Sequence, residues 1–145
     1  MQTETKTDTF GTTSTTYKDN SGRTIGRSET RKTTFGNGSN TTIKDQHGRT
    51  VGRAEARTDS FGTTTTQYKD EFGRSVGRAT ARTDSFGNTT TQYKDRQGRN
   101  VGRAESRTDS FGTTTTTVKD KHGRTIQTYK TKTDSFGTQR TTSER

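Results

Sequence analysis

The chain has 145 residues, of which only 17% are hydrophobic and 29% charged, with a formal net charge of +10 and a mean hydropathy of −1.39. Such a composition excludes an ordinary apolar core and falls in the range usually associated with disorder. Cysteine is absent, which removes disulfides and the commonest structural zinc sites. No apolar run approaches a membrane span, and Met1-Gln2-Thr3-Glu4 does not read as a secretory signal. Against disorder stands the residue choice. Proline is absent and threonine supplies about one residue in four, and threonine is β-branched and favours strands. Order through backbone pairing and side-chain ladders, with little burial, is the expectation.

Periodicity organises the whole chain. Residues 1–8 read as a partial unit. Five units follow near 9–33, 34–59, 60–84, 85–109 and 110–134, and 135–145 start another. Phe-Gly opens each unit at Phe10, Phe35, Phe61, Phe86, Phe111 and Phe136. A strand rich in threonine leads from it to Tyr17-Lys18-Asp19, Ile43-Lys44-Asp45, Tyr68-Lys69-Asp70, Tyr93-Lys94-Asp95 and Val118-Lys119-Asp120. Two variable residues and Gly-Arg come next, and Asp-x-x-Gly predicts a tight turn. The aspartate accepts from nearby backbone N–H groups and the glycine supplies a positive φ. A second strand then runs through Gly-Arg-Ala to Thr-Asp-Ser-Phe-Gly, read as a second turn or strand break. The result is one β-hairpin per unit, with strands of roughly ten residues.

Pairing outward from the turn places Asp70 opposite Arg74, Lys69 opposite Ser75, Tyr68 opposite Val76 and Thr66 opposite Arg78. The same register pairs Tyr17 with Ile25, Ile43 with Val51, Tyr93 with Val101 and Val118 with Ile126, an aromatic or β-branched contact in every unit. One face then carries Tyr, Val, Arg and Glu; the other carries Thr, Gly, Ala and Ser. The fifth unit, with Gln127-Thr128-Tyr129 in place of Gly-Arg-Ala, has the atypical make-up of a cap.

The expected architecture is all-β, an elongated antiparallel meander of hairpins, with a parallel β-solenoid as the alternative. The meander is preferred because a solenoid would stack Arg49, Arg74, Arg99 and Arg124 in an unrelieved column at about 4.8 Å spacing. The stretch from Thr83-Asp84-Ser85-Phe86-Gly87 through Tyr93-Lys94-Asp95 to Gly98-Arg99 resembles the YD repeats of bacterial Rhs proteins. That resemblance implies hairpins that spiral into an extended sheet. Five units are too few for the enclosing shells such proteins build, so the likeness carries architecture alone. The repeat departs from that pattern in the lysine between Tyr and Asp and in Val118.

No catalytic constellation emerges, so the chain is not expected to be an enzyme, and no cofactor or metal is implied. His47 and His122 fall at variable turn tips, and the acids recur once per unit as structural columns do. Gly-Arg-x-x-Gly-Arg lacks the following helix that a phosphate loop needs. Three functional expectations follow. The first is a structural or adhesive scaffold that associates with itself end to end or by layering sheets, driven by open edge strands. The second is an ice-binding surface on the small face, with Thr63, Thr65, Ala79, Ala81, Thr90 and Ala104 as its residues. The third is a polyanion stripe of Arg27, Arg53, Arg78 and Arg103, suggested by the net charge and a pI near 10.2. An extracellular or cell-surface setting is expected.

Overall fold

The hairpins close on themselves. A computed structural model, described for residues 1–34 and 36–144, contains twelve strands and no helix. Phe35 and Arg145 lie outside the described residues. The strands are β1 (Gln2–Thr7), β2 (Thr13–Lys18), β3 (Thr24–Lys32), β4 (Gly38–Asp45), β5 (Thr50–Thr58), β6 (Thr64–Asp70), β7 (Ser75–Thr83), β8 (Thr89–Asp95), β9 (Asn100–Thr108), β10 (Thr113–Asp120), β11 (Thr125–Thr133) and β12 (Gln139–Glu144). Each pairs antiparallel with its sequence neighbours, and β1 also pairs with β12, with Thr3 opposite Thr141 and Glu4 opposite Arg140. The expected elongated meander is therefore corrected to a closed barrel. The parallel solenoid is excluded by the antiparallel pairing throughout. Closure also removes the open edges on which edge-to-edge assembly depended, because every strand has two partners.

A β-bulge in each unit explains the closure. Lys69 pairs with Ser75 as the sequence implies, but Tyr68 pairs with Gly77, and Val76 is the extra residue between them. The same shift falls between Tyr17 and Lys18, Ile43 and Lys44, Tyr93 and Lys94, and Val118 and Lys119. A bulge raises local twist and bends the sheet; five at one level curl twelve strands into a tube. The expected Tyr68–Val76 pair and its counterparts are thereby overturned.

The bulge also re-sorts the faces, since a slip of one residue turns a strand over relative to its partner. Tyr68, Thr66 and Thr64 now share a face with Gly77, Ala79 and Ala81, whereas Lys69, Gln67 and Thr65 join Val76, Arg78 and Thr80. The first set faces inward. Gly52, Gly77 and Gly102 are buried, as are Ala54, Ala79 and Ala104, with Ser28 at the alanine position of the first unit. Burial pushes the Tyr68 hydroxyl pKa up, helped by the Tyr93 and Tyr17 hydroxyls, which come from β8 and β2. Groups on strands so far apart feel one another only across a shared interior. Close backbone approach requires the inward glycines: a Cβ on Gly77 would stand 2.7 Å from the Lys94 carbonyl oxygen, and one on Gly102 2.6 Å from that of Lys119.

Little of this interior is apolar. Hydroxyl pairs bridge neighbouring strands instead, among them Thr5–Thr15 (2.8 Å), Thr30–Thr41 (2.7 Å), Ser106–Thr116 (2.8 Å) and Thr131–Thr141 (2.7 Å). The chain exposes 10525 Å², against about 7,400 Å² for a compact monomer of this mass. That excess is the signature of a wall one strand thick. The barrel is held by its hydrogen-bonded backbone and threonine ladders more than by a packed core.

Candidate functional site

Both rims of the barrel are built from one turn, except at the β3–β4 connection, where Thr33 stands in place of the aspartate and its N–H donates to the Gly38 carbonyl at 2.9 Å. At the first rim the sequence is Asp-x-x-Gly-Arg, as in Asp70-Glu71-Phe72-Gly73-Arg74; at the second it is Asp-Ser-Phe-Gly-Thr, as in Asp59-Ser60-Phe61-Gly62-Thr63. In the first, the Asp70 N–H donates to the Arg74 carbonyl (2.9 Å) and the Gly73 N–H to the Asp70 carbonyl (3.1 Å); the second shows 2.9 and 3.1 Å for the equivalent bonds. Each aspartate Oδ1 accepts two further backbone N–H groups, from Phe72 and Arg74 at 3.0 and 2.9 Å and from Phe61 and Thr63 at 2.9 and 2.9 Å. Gly73 and Gly62 sit at φ +81° and +78°. The break read ambiguously from sequence is thus the same turn as the first.

What differs is the tip. At the position two after the aspartate, the first rim carries Ser21, His47, Phe72, Gln97 and His122, so this backbone accepts almost any side chain. The second rim carries phenylalanine each time: Phe10, Phe61, Phe86, Phe111 and Phe136, with exposures of 93%, 91%, 89%, 91% and 92%. Nothing in the fold requires them, because the opposite rim makes the same turn with serine, glutamine or histidine. Alternate turns of an up-and-down barrel lie at one end, so these rings crown a single rim. Five large apolar side chains exposed at one end of the barrel make this rim the candidate interaction surface.

The charge around the two rims differs as well. At the first rim Arg23, Arg49, Arg74, Arg99 and Arg124 each reach back to the turn aspartate, at 3.1, 2.9, 2.7, 2.8 and 2.8 Å. These contacts hold the aspartates below the ordinary carboxylate range. At Asp19 and Asp120 the leading cause is the backbone hydrogen bond of the following arginine. At Asp45, Asp70 and Asp95 desolvation pushes the other way and is outweighed by the arginine hydrogen bonds. At the phenylalanine rim a threonine or Asn88 takes the arginine's place in the turn. Cations behind this rim include Lys6, Arg57, Arg82, Arg107 and Lys132, each four residues before a phenylalanine and exposed, together with Arg31 and Lys32 beside Phe10 and Arg140 opposite Lys132. Lys6 pairs with Glu4 at 3.0 Å; among the described residues no carboxylate lies within ion-pair distance of Arg57, Arg82, Arg107 or Lys132, although Arg57 helps Lys69 to lower the pKa of Glu55.

The outer wall carries the arginine stripe. Arg27, Arg53, Arg78 and Arg103 are all exposed and sit directly opposite Lys44, Lys69, Lys94 and Lys119. Glutamates relieve three of these like-charge pairs, through Lys44–Glu29 (3.4 Å), Lys69–Glu55 (2.7 Å) and Lys119–Glu105 (2.7 Å). In the third unit Thr80 stands at the glutamate position.

The residues expected to form an ice-binding face are not brought together. Ala79, Ala81 and Ala104 face inward, Thr65 and Thr90 face outward, and Thr63 closes a turn at the phenylalanine rim. His47 and His122 stand at exposed tips of the opposite rim, and no group of three metal-ligating side chains forms among the described residues. The phenylalanines were visible in the sequence as the period marker. What would have identified them as a site was the comparison of the two turns: one tip position varies freely and the other does not. No protein-family model matches the chain, and neither the curated proteins nor the solved structures contain a match.

Proposed function

We propose that the chain is a non-enzymatic adhesive scaffold, a closed barrel that presents its phenylalanine rim to a partner. The observation that carries this reading is a tip position held by phenylalanine at one rim and free to vary at the other, on one and the same turn. The likeness of the units to YD repeats fits a structural role, since those hairpins also serve as building material. The test is retention on a phenyl-substituted matrix. Replacing Phe61, Phe86 and Phe111 with serine should abolish retention while leaving the circular dichroism and the unfolding midpoint unchanged, because these side chains contribute no packing. Retention equal to that of the parent would remove the reading.

A second reading, polyanion binding by the outer wall, is favoured by Arg78 and Lys94, which face one another where Thr80 replaces the glutamate of neighbouring units. Binding to a polyanion releases its condensed counterions, so affinity for heparin should fall steeply with salt. Thr80→Glu should weaken binding and flatten that dependence. Retention insensitive to salt would exclude a polyanion role.

A further inference from the structure

We infer that the phenylalanine rim docks on an anionic lipid bilayer, an inference that rests on the adhesive reading and names its partner. The rim joins two features that such a surface recognises together. The rings of Phe10, Phe61, Phe86, Phe111 and Phe136 stand at turn tips beyond the last paired residues of their hairpins, free to enter the boundary between headgroups and acyl chains. Behind them on the outer wall sit Arg57, Arg82, Arg107 and Lys132. Each lies two residues before its turn, which at about 3.3 Å per residue is roughly 7 Å along the strand. Interfacial binding buries apolar groups about 5–10 Å deep and gains from cations held at headgroup level. The spacing matches that division of labour.

Charge decides among occupants. The turn aspartates of this rim are taken up by their own backbone N–H groups, so two copies meeting rim to rim would press the cations against their counterparts. Meeting head to tail would set them against the opposite rim, whose tips present Arg96 and Lys121 beside a single acid, Glu71, and whose aspartates are committed to its own arginines. An anionic surface relieves the cations instead. It is also planar, as the end of a closed barrel is, and it accepts apolar rings at any lateral position without preformed pockets. The barrel stands on the membrane and does not cross it. Its outer wall bears Arg27, Arg53, Lys69 and Glu55 at mid-height, where a spanning barrel needs an apolar band.

The experiment is co-sedimentation of the full chain with vesicles of phosphatidylcholine alone or with phosphatidylserine added. The parent chain should bind the mixed vesicles and leave the neutral ones largely unoccupied. The variant with Phe61, Phe86 and Phe111 replaced by serine, and a second with Arg57, Arg82 and Arg107 replaced by glutamine, should each lose binding by roughly tenfold or more, with unchanged circular dichroism. A Phe86→Trp reporter should shift its emission to the blue on mixed vesicles and not on heparin. Equal binding to both vesicle types, or full binding by the serine variant, overturns the proposal. Retention on the phenyl matrix without vesicle binding overturns the lipid partner alone and leaves the adhesive reading standing, with a protein partner or a second copy as the occupant. Loss of both ends both.

Discussion

Glycine and aspartate make the turns, and each does so for a separable reason. Gly73 occupies the left-handed region with open space around its α-carbon, so Gly73→Ala should cost about 1–2 kcal/mol through backbone conformation alone, read as a shift in the denaturant midpoint. Gly77→Ala destabilises through a different cause, the approach of a new Cβ to the Lys94 carbonyl. The turn aspartates predict a pH dependence. Asp19, Asp70 and Asp120 have pKa values lowered on folding, so the stability they contribute is present above the unfolded value of about 3.9. It is lost as pH falls through the still lower folded values. Acid titration followed by circular dichroism should therefore show unfolding that begins near pH 4 and strengthens below it; a midpoint constant from pH 6 to pH 2 would contradict this. At Tyr68 the bulge changes the expected partner. Tyr68→Ala should cost about 1–2 kcal/mol as a half-buried ring is lost. Val76→Ala should lie within about 0.5 kcal/mol of neutral. Because the two side chains lie on opposite faces, a double-mutant cycle should give a coupling near zero.

At the level of the hairpin, the legible and illegible parts of the fold separate at a single residue. The Asp-x-x-Gly-Arg turn, the antiparallel pairing and the Lys69–Ser75 contact all follow from turn chemistry and spacing. The bulge does not, because an extra residue leaves no mark on a strand that alternates either way, and Val76 looked like a natural partner for Tyr68. That one displacement turns the Tyr68 strand over relative to its partner, so that Tyr68 and Thr66 share a face with Gly77 and Ala79 and the expected ice-binding set is divided between the two faces. The phenylalanine rim does not stand out as a candidate site in the sequence for another reason: a residue that recurs with the period reads as architecture until an equivalent position is found that does without it. The corrected faces make a sharp prediction. Thr66→Lys places a charge inside the barrel, against Ala79 and Ala56, and should lower the thermal midpoint by several degrees. Thr65→Lys, one residue away on the charged exterior, should leave it nearly unchanged. Equal effects would mean that the faces have been assigned wrongly.

The molecule as a whole is a thin wall whose two ends carry different side chains. Five bulges at one level supply the curvature, and the fifth unit and the two terminal strands complete the circle. Tyr129 and Gln127 fill the inward positions of alanine and glycine there, and across the seam the Met1 ammonium donates to Ser143 Oγ at 3.2 Å. Charges line the outside, threonine hydroxyls line the inside, and the rims carry what varies: mixed residues at one end and phenylalanine at the other. The rim reading depends on closure, since an open meander would spread the same phenylalanines along an edge. Closure is tested most directly by an engineered disulfide between β1 and β12. Thr3 and Thr141 are Cα partners across the seam, and the native chain has no cysteine to interfere. With both replaced by cysteine, mild oxidation at low protein concentration should give a monomer cross-linked within one chain and more resistant to heat than its reduced form. An open sheet would hold these residues at opposite ends, leaving free thiols or disulfide-linked dimers, and that result would contradict the barrel.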